Sequence, residues 1–595
     1  MEKQIIRINK GQHLSDLFPE GIPSNIILHK TLCGIGATTL EINTPRNSII
    51  IEPNVPVIKG KMIQHPQILG VYEGVTLKQI ADYVNNQEGY CKIMTTPESF
   101  MRVRNALRFT TKYLVHDFFL LFDECEKIIQ DVEYRTKITL PVNLFFECKR
   151  KAMVSATPIE PSDSRFEEQG FQIVKVVPDY LYQTSLNLFQ TNNVFTLFSY
   201  VLRAIPQDKK VCIFFNSTNG IERVIEKERL EEADIYCSSD SAKRLRGKNL
   251  KASADLVIEN DHVILPKYSF FTSRFFSAVD IRLPEDEKPV VVILTELFTA
   301  PHSLIDPKTE SVQIVGRFRN GVHAVYHIMN NDSQLPTRTD DELREYLAGS
   351  HKVYQSFYKA LDEAESEGEQ DTLKQALQTV DYARFVTGGC KINTFMYDNA
   401  YNEEHIKALY KEYDAVYNAY DEDGAFNITW KRFQMRFSDQ QRKHLNEPFI
   451  SKTKLNRYAF EIIKNLIRSN GEFERIQIHE LKSSFGLLID AYQELGPEKV
   501  REIGFKDKDL KQAISEAKIQ KQEKAPGVLV AVHRQFKEYR WYSTREINSK
   551  LGKIYQLFKV PCDKRGIADK ISLYYEAERA NNAKARGWKL GKALQ

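Results

Sequence analysis

The sequence predicts an α/β protein with two successive doubly wound parallel sheets, followed by a mainly α-helical C-terminal region. Three observations carry this. Short apolar runs alternate with helical stretches from Ile26 to about Glu160, and do so again from Lys209 to Met329. Strands covered on both faces by crossover helices read in this way. These runs end in polar residues, so ligands are expected at the carboxyl ends of the strands. Beyond about Ser333 the strand signal fades and helical periodicity takes over.

In the first unit the expected strands are Ile26–Leu28, SIIIEP (48–53), CKIMTTPES (91–99), FFLLFDE (118–124) and KAMVSATP (151–158), each short, apolar and bounded by turn formers. A connecting stretch runs from 161 to 193. The second unit offers KKVCIFFNST (209–218), ADIYCSS (233–239), YSFFTS (268–273), PVVVILT (289–295) and AVYHIM (324–329). Its layout resembles that of the first, although no residue-level repeat links them. Helices dominate 340–421, where the acidic stretch LDEAESEGEQD (361–371) reads as a solvated helix or loop. A second helical part runs from about Ile428 to the end, broken at KAPG (524–527).

Composition sets the bounds. A chain of 595 residues is long for one domain, and division by about 150 suggests three or four. With 42% hydrophobic and 27% charged residues, each can bury a core. No run approaches the roughly 18 apolar residues that span a bilayer, and the opening MEKQIIRINKGQ lacks the apolar block of a secretion signal. Eight cysteines occur without a CxxC pair, so neither a zinc site nor a disulfide framework is indicated. Cys33, Cys91, Cys125, Cys148 and Cys212 read as small thiols in or beside strands and turns. A reducing cytoplasm fits these features. The net charge of +4 is unevenly spread, because 521–595 holds 17 Lys plus Arg against 7 Asp plus Glu. A basic tail suggests a polyanionic partner, with a solvated basic face as the alternative.

Four stretches carry chemistry. The first, LHKTLCGIGATTL (28–40), joins an apolar strand to a helical run, where a glycine-rich turn can cradle phosphates. Thr31, Gly34, Ile35, Gly36, Thr38 and Thr39 fit a P-loop, but Ala37 stands where the pattern places lysine. Taken alone, the stretch also reads as an ordinary turn. FFLLFDECE (118–126) ends a buried strand in adjacent carboxylates, costly charges that a bound cation would justify. Asp123 would hold Mg²⁺ and Glu124 would polarise an attacking water; equally, the pair could cap the next helix. Ser155-Ala156-Thr157 ends another strand and could relay nucleotide state, though such triplets are common by chance. Gln313-Ile314-Val315-Gly316-Arg317-Phe318-Arg319 sets a glutamine and two arginines at a helix in the second unit. An arginine reaching phosphate from a neighbouring domain accelerates NTP hydrolysis by about 10³ to 10⁵, whereas a bland Arg pair makes surface ion pairs.

In this order and spacing, the set resembles the motif series of superfamily 2 helicases and translocases, over roughly residues 20–335. That resemblance implies RecA-like domains at 1–160 (nucleotide-binding) and 194–334; beyond them, helical periodicity and the basic tail give a helical accessory region at 335–427 and a basic helical domain at 428–595 with possible nucleic-acid binding. It implies ATP and Mg²⁺ as cofactors, with Thr38 and Asp123 on the metal and Glu124, Gln313, Arg317 and Arg319 catalytic. It adds nucleic-acid contacts at Glu52-Pro53, at Thr96 and Pro97 within TTPE (95–98), at Asn216 and Ser217 within FFNS (214–217), and at Thr272 and Arg274, with Val279-Asp280 alongside. KTLCGIGATTLEI together with DECE is similar to a group of phage-type helicases. On that basis DNA is favoured over RNA, and the host cytoplasm is the expected location.

The chain departs from the pattern in three places. Ala37 replaces the P-loop lysine. Asn320 stands where the last motif places arginine, leaving open which of Arg317 and Arg319 acts as the finger. Glu126 replaces the Asp or His that closes the second motif. Lys30, just before the loop, could return the missing charge to the phosphates; alternatively it is a solvated lysine or pairs with Asp123 or Glu124. In the tail, RQFKEYRWYSTREINSKLGKIYQLFKV (534–560) interleaves cations with aromatics, as a single-strand-binding surface does. Arg540, Trp541 and Arg545 are its candidate contacts, and Ser543 or Thr544 would cap a helix of a small helix-turn-helix-like module. The alternative is that these aromatics form a small core. The functional expectation is an ATP-dependent helicase or translocase. A non-catalytic nucleic-acid binder is the alternative that Ala37 keeps open, while a nuclease finds no spaced carboxylate cluster outside the motif set.

Overall fold

The computed structural model describes the whole chain except residues 260, 261, 278, 279, 449, 563, 564, 582–584 and 595; Val279, named above beside Asp280, therefore lies outside the described residues. The chain forms two compact units, Met1–Met435 and Arg436–Gln595.

The first unit holds two parallel sheets of eight strands, the two successive parallel sheets expected. One comprises β1 (Glu2–Ile8), β2 (Ile26–His29), β3 (Ser48–Ile51), β4 (Leu69–Val71), β5 (Lys92–Thr95), β6 (Phe119–Asp123), β7 (Arg150–Ser155) and β8 (Gln172–Pro178), ordered β1-β8-β2-β7-β6-β3-β5-β4. Its central strands are apolar throughout because both faces are covered. Ile27, Ile49, Leu120 and Met153 feed one core, while Leu28, Ile50, Leu121 and Val154 feed the other. Register places Leu28 beside Val154, Asp123 beside Val154, and Ile51 beside Phe122. The loops after β2, β3, β6 and β7 therefore emerge side by side.

In the second sheet are β9 (Thr184–Thr191), β10 (Val211–Phe214), β11 (Ala233–Tyr236), β12 (Ala252–Ser253), β15 (Tyr268–Phe271), β16 (Val290–Thr295), β17 (Ala324–Met329) and β20 (Phe426–Phe433), ordered β12-β11-β15-β10-β16-β17-β9-β20. Two small antiparallel hairpins lie outside it, β13 (Val257–Glu259) with β14 (His262–Ile264) and β18 (Val386–Thr387) with β19 (Lys391–Ile392).

Three expected boundaries change. The stretch 161–193 is not simply a connection, since β8 completes the first sheet beside β1 and β2, and β9 opens the second. The region 335–427 is helical but not a separate accessory body. Tyr410, Val416 and Tyr420 join the core of the second sheet, while Leu343, Leu347 and Tyr382 pack with Val132 and Ile138. Finally, β20 belongs to the second sheet rather than to the C-terminal domain, pairing with β9 along its whole length.

The second unit is mainly helical, with long helices at Lys452–Ser469 and Glu472–Leu495 around a core that includes Phe460, Ile463 and Leu488. Its last part also carries a three-stranded antiparallel sheet, β21 (Trp541–Ser543), β22 (Tyr575–Arg579) and β23 (Gly587–Ala593), with β23 in the middle. Ser543 caps the helix Thr544–Leu557 by accepting from Glu546 N at 3.2 Å, as its position suggested. No helix of the described residues is long and apolar enough to cross a membrane.

Candidate functional site

The loop from Lys30 to Gly36 leaves β2 and enters the helix Ala37–Asn43. Thr31, Gly34 and Gly36 all have positive φ, at 57°, 83° and 92°. Left-handed residues fold a chain into concave turns whose backbone N–H groups suit anions, and at Thr31 the conformation carries strain that a non-glycine residue rarely accepts without cause. Hydrogen bonds from Lys30 N to Ser155 O (2.8 Å) and from Leu14 N to Ile35 O (3.1 Å) hold the loop to its neighbours. Thr31 Oγ1 is buried with no hydrogen-bond partner among the described residues, an orphan that an incoming polar ligand would satisfy. Ala37 is buried in the apolar core with Leu28 and Leu40.

Facing the loop, β6 delivers its carboxylates. Thr38 Oγ1 donates to Asp123 Oδ2 at 2.5 Å, so the two expected metal ligands already stand together. Lys30 is no solvated lysine. Its side chain is buried, with Nζ 3.7 Å from Asp123 Oδ1 and 3.5 Å from Glu124 Oε1. Burial disfavours its charge, but the carboxylates more than compensate and hold its pKa above the ordinary value. Glu52 is 1% exposed, and burial with the charges of Asp123 and Glu124 raises its pKa well above normal. It is thus buried in this charge cluster, while the adjoining Pro53 lines the open cleft.

From the second sheet, the helix Glu310–Gly316 brings Gln313, and the arginine that follows it, against Glu124. Gln313 Nε2 lies 3.0 Å from Glu124 Oε2, 3.2 Å from Glu126 Oε1 and 3.1 Å from Thr157 Oγ1, three acceptors that its two N–H groups share. Thr157, from the Ser-Ala-Thr triplet, thereby joins the site. Arg317 is 3% exposed; it donates to Gln313 Oε1, to Ser277 O at 3.1 Å, and to Glu124 Oε1 at 3.5 Å. Arg319 instead pairs with Asp280 at 2.6 Å. Its guanidinium lies over Gly34: a Cβ there would meet Arg319 Nη1 at 2.6 Å, so a side chain would have to displace the arginine. Gly316 likewise makes room for Cys33, whose Sγ would lie 2.4 Å from a Cβ. Both arginines thus reach the first domain, Arg317 at the carboxylate and Arg319 at the loop.

The electrostatics separate the carboxylates. Burial pushes Glu124 up, but Lys30 and Arg317 outweigh it and hold the group below the ordinary carboxylate range. Glu126, buried beside Glu124, is pushed up to about 8 by burial and by that neighbouring charge. At neutral pH Glu124 is therefore an ionised acceptor and Glu126 a neutral group. One carboxylate and one hydroxyl, with no cluster of three His, Cys, Asp or Glu that could hold a metal among the described residues, suit a hard cation that keeps waters and takes its remaining oxygens from a phosphate. The set fits Mg²⁺ with a nucleotide and does not fit a protein-only metal cage.

A cavity of about 900 Å³ opens between the two sheets. Pro53, Asn216, Ser217, Thr272 and Arg274 all line it, with Lys59, Lys127 and Arg135 as further cations. Thr96 and Pro97 do not line it. Both are buried at the end of β5, where Thr96 N donates to Val71 O at 3.2 Å. The adjoining Glu98 acts through Arg135, which pairs with it at 2.7 Å and donates to the Pro53 carbonyl at 2.7 Å. Neither Arg135 nor the charge-cluster role of Glu52 could be found from the sequence, since their partners are distant in the chain.

In the second unit, Arg540 and Arg545 are exposed, but Trp541 is not a free stacking platform. Its Nε1 donates to Ala580 O at 2.7 Å and its ring packs on Gly587. Tyr542 and Tyr555 are buried in the core with Trp588. Phe536 joins that core, whereas Tyr539 and Phe558 are exposed, so the aromatics of this stretch divide between a small core and the surface.

No family model matches the sequence, nor does any curated protein. Among solved structures, the chain is similar to Saccharomyces cerevisiae Dbp5 bound to RNA and ADP BeF3, with 11% identity and a TM-score of 0.35 over 67% of this chain and 91% of that one. It is similar also to the Mycobacterium smegmatis helicase Lhr bound to ssDNA and AMP-PNP, with 11% identity and a TM-score of 0.33 over 80% of this chain and 70% of the other. A DEAD box protein from Methanococcus jannaschii gives 11% identity and a TM-score of 0.27 over 52% and 82%.

Proposed function

We propose that this protein is an ATP-dependent nucleic-acid helicase or translocase acting on DNA. The observation that carries the reading is the convergence of Gln313 and Arg317 from one domain on Glu124 of the other. A carboxylate so placed, ionised and joined to a cation from across a cleft, suits hydrolysis coupled to cleft closure. Glu124 accepts a proton from an attacking water and orients it. Arg317 places a guanidinium where negative charge develops beside that carboxylate. Asp123 and Thr38 would hold Mg²⁺, which when bound neutralises phosphate charge. Gln313 and Thr157 report closure of the second domain to the first. The cavity lined by Pro53, Asn216, Ser217, Thr272 and Arg274 is the proposed track for a strand, with exposed Arg540 and Arg545 as additional phosphate contacts.

A second reading, a nucleic-acid binder without turnover, is favoured by one observation: Ala37 leaves the loop without its own cation. Phosphate release measured with single- and double-stranded DNA and RNA separates the two. Stimulated turnover supports the enzyme, and DNA exceeding RNA supports the substrate. Absence of turnover with every nucleic acid leaves the binder.

A further inference from the structure

The loop lacks a lysine at position 37, and Lys30 is already committed: two carboxylates lie within 3.7 Å of its Nζ. Arg317 also lies 3.5 Å from Glu124 Oε1, so the two cations of this cluster are matched by its two carboxylates and neither is left over for a polyphosphate. A different lysine reaches the loop from the helix Val55–Gln64, which follows β3. Lys61 Nζ donates to Thr39 Oγ1 at 3.2 Å. Thr39 directly follows Thr38, whose hydroxyl meets Asp123.

Lys61 also donates to Gln64 Oε1 at 3.4 Å. Among the described residues, no carboxylate lies within ion-pair distance of it. It is half-buried. Burial lowers its pKa, the more distant Asp280 and Asp123 oppose this, and Arg319 and Arg282 add to the lowering. Half-buried, and with Asp280 and Asp123 acting only from beyond ion-pair distance, the ammonium has no anion in direct contact among the described residues, and a bound polyphosphate supplies one.

We propose that Lys61 is the phosphate-binding cation of this nucleotide site, replacing from a neighbouring helix the lysine that the loop lacks, while Lys30 holds Asp123 and Glu124 in place. The assignment rests on the cleft being a nucleotide site, as proposed above. It makes Thr39 the link between helix and loop, and it predicts that charge, more than hydrogen bonding, is what Lys61 contributes.

The test is equilibrium titration of the full-length chain with a fluorescent ATP analogue and Mg²⁺, for wild type, Lys61→Met, Lys61→Gln and Lys61→Arg. Methionine keeps the packing of the stem, glutamine keeps a donor toward Thr39, and arginine keeps the charge. Circular dichroism and the melting temperature identify any variant that fails to fold, and the remaining variants then decide. Losing one charge-assisted contact weakens binding by about tenfold or more. The expected result is that loss for both Met and Gln, with Arg close to wild type and a shallower salt dependence in the two neutral variants. Wild-type binding with unchanged affinity in Met and Gln overturns the assignment alone. A wild type that binds no nucleotide overturns the nucleotide reading and this assignment with it.

Discussion

Gln313→Ala tests how the two domains are coupled. The amide nitrogen of Gln313 meets Glu124, Glu126 and Thr157 at 3.0 to 3.2 Å, and its oxygen accepts from Arg317. An amide has two N–H groups, so on the nitrogen side truncation removes two hydrogen bonds at a time, one of them to an ionised carboxylate, besides the bond its oxygen accepts from Arg317. Buried, the two on the nitrogen side are worth about 3 kcal/mol together: roughly 2 for the charged bond and 1 for the neutral one. If that energy is realised in the closed, hydrolysing state, kcat falls about a hundredfold. Gln313 touches the loop only through Cys33 Sγ, 3.8 Å from its Oε1, and none of the hydroxyls Thr31, Thr38 or Thr39, so KM for ATP should change little. The assay is steady-state phosphate release at saturating nucleic acid, with ATP varied. A double-mutant cycle with Thr157→Val should show strongly sub-additive losses, because both changes break the same bond. A Gln313→Ala enzyme with wild-type kcat would refute the coupling, and additive losses would refute the shared contact.

Further outcomes follow from the same geometry. Glu126, with its pKa raised to about 8, is neutral at pH 7, so Glu126→Gln should keep turnover whereas Glu126→Ala should not. Because its folded pKa is raised above an unfolded value of about 4.3, Glu126 favours folding below that value and loses this contribution as pH rises toward 8. The melting temperature of Glu126→Gln relative to wild type should therefore increase across roughly pH 5 to 8, and a difference independent of pH would contradict the neutral form. In the second unit, Trp541→Ala should destabilise by about 2 kcal/mol, less than a fully buried tryptophan, as read by denaturant unfolding. Arg540→Ala with Arg545→Ala should leave unfolding unchanged and reduce the salt slope of nucleic-acid binding by about 2. Unchanged salt dependence would remove those arginines from the interface.

Much of the fold was legible where strands are buried on both faces. The apolar runs at 48–53, 118–124 and 289–295 all form central strands because nothing but hydrocarbon fits between two helical layers. The edge strands were illegible for the complementary reason. β1 (EKQIIRI) and β20 (FNITWKRF) each have one sheet neighbour and carry charges toward solvent, and β4 spans three residues around a glycine. β8 carries a lysine in QIVKVVP and lies within the stretch that reads as a connection.

The site divides in the same way. The structure brings Thr38 beside Asp123, because parallel strands end together, and Gln313 and Arg317 against Glu124 across the two sheets, residues that the resemblance to a motif series already groups. The motif series does not distinguish residues that line the cleft from buried ones: Thr96, Pro97 and Glu52 are all buried. Lys61 belongs to no motif. It becomes visible only when the helix after β3 folds back over Thr39, and no periodicity or composition marks that lysine among its neighbours Lys59 and Gly60.

The central claim is that Glu124 serves hydrolysis at a nucleotide site spanning the two domains. Nucleic-acid-stimulated phosphate release by wild type and Glu124→Gln, with binding of a fluorescent ATP analogue measured on the same preparations, tests it most directly. The predicted result is retained nucleotide binding with turnover lower by about 10² to 10⁴, the range for loss of a positioned general base. Glu124→Gln hydrolysing ATP at the wild-type rate would contradict it.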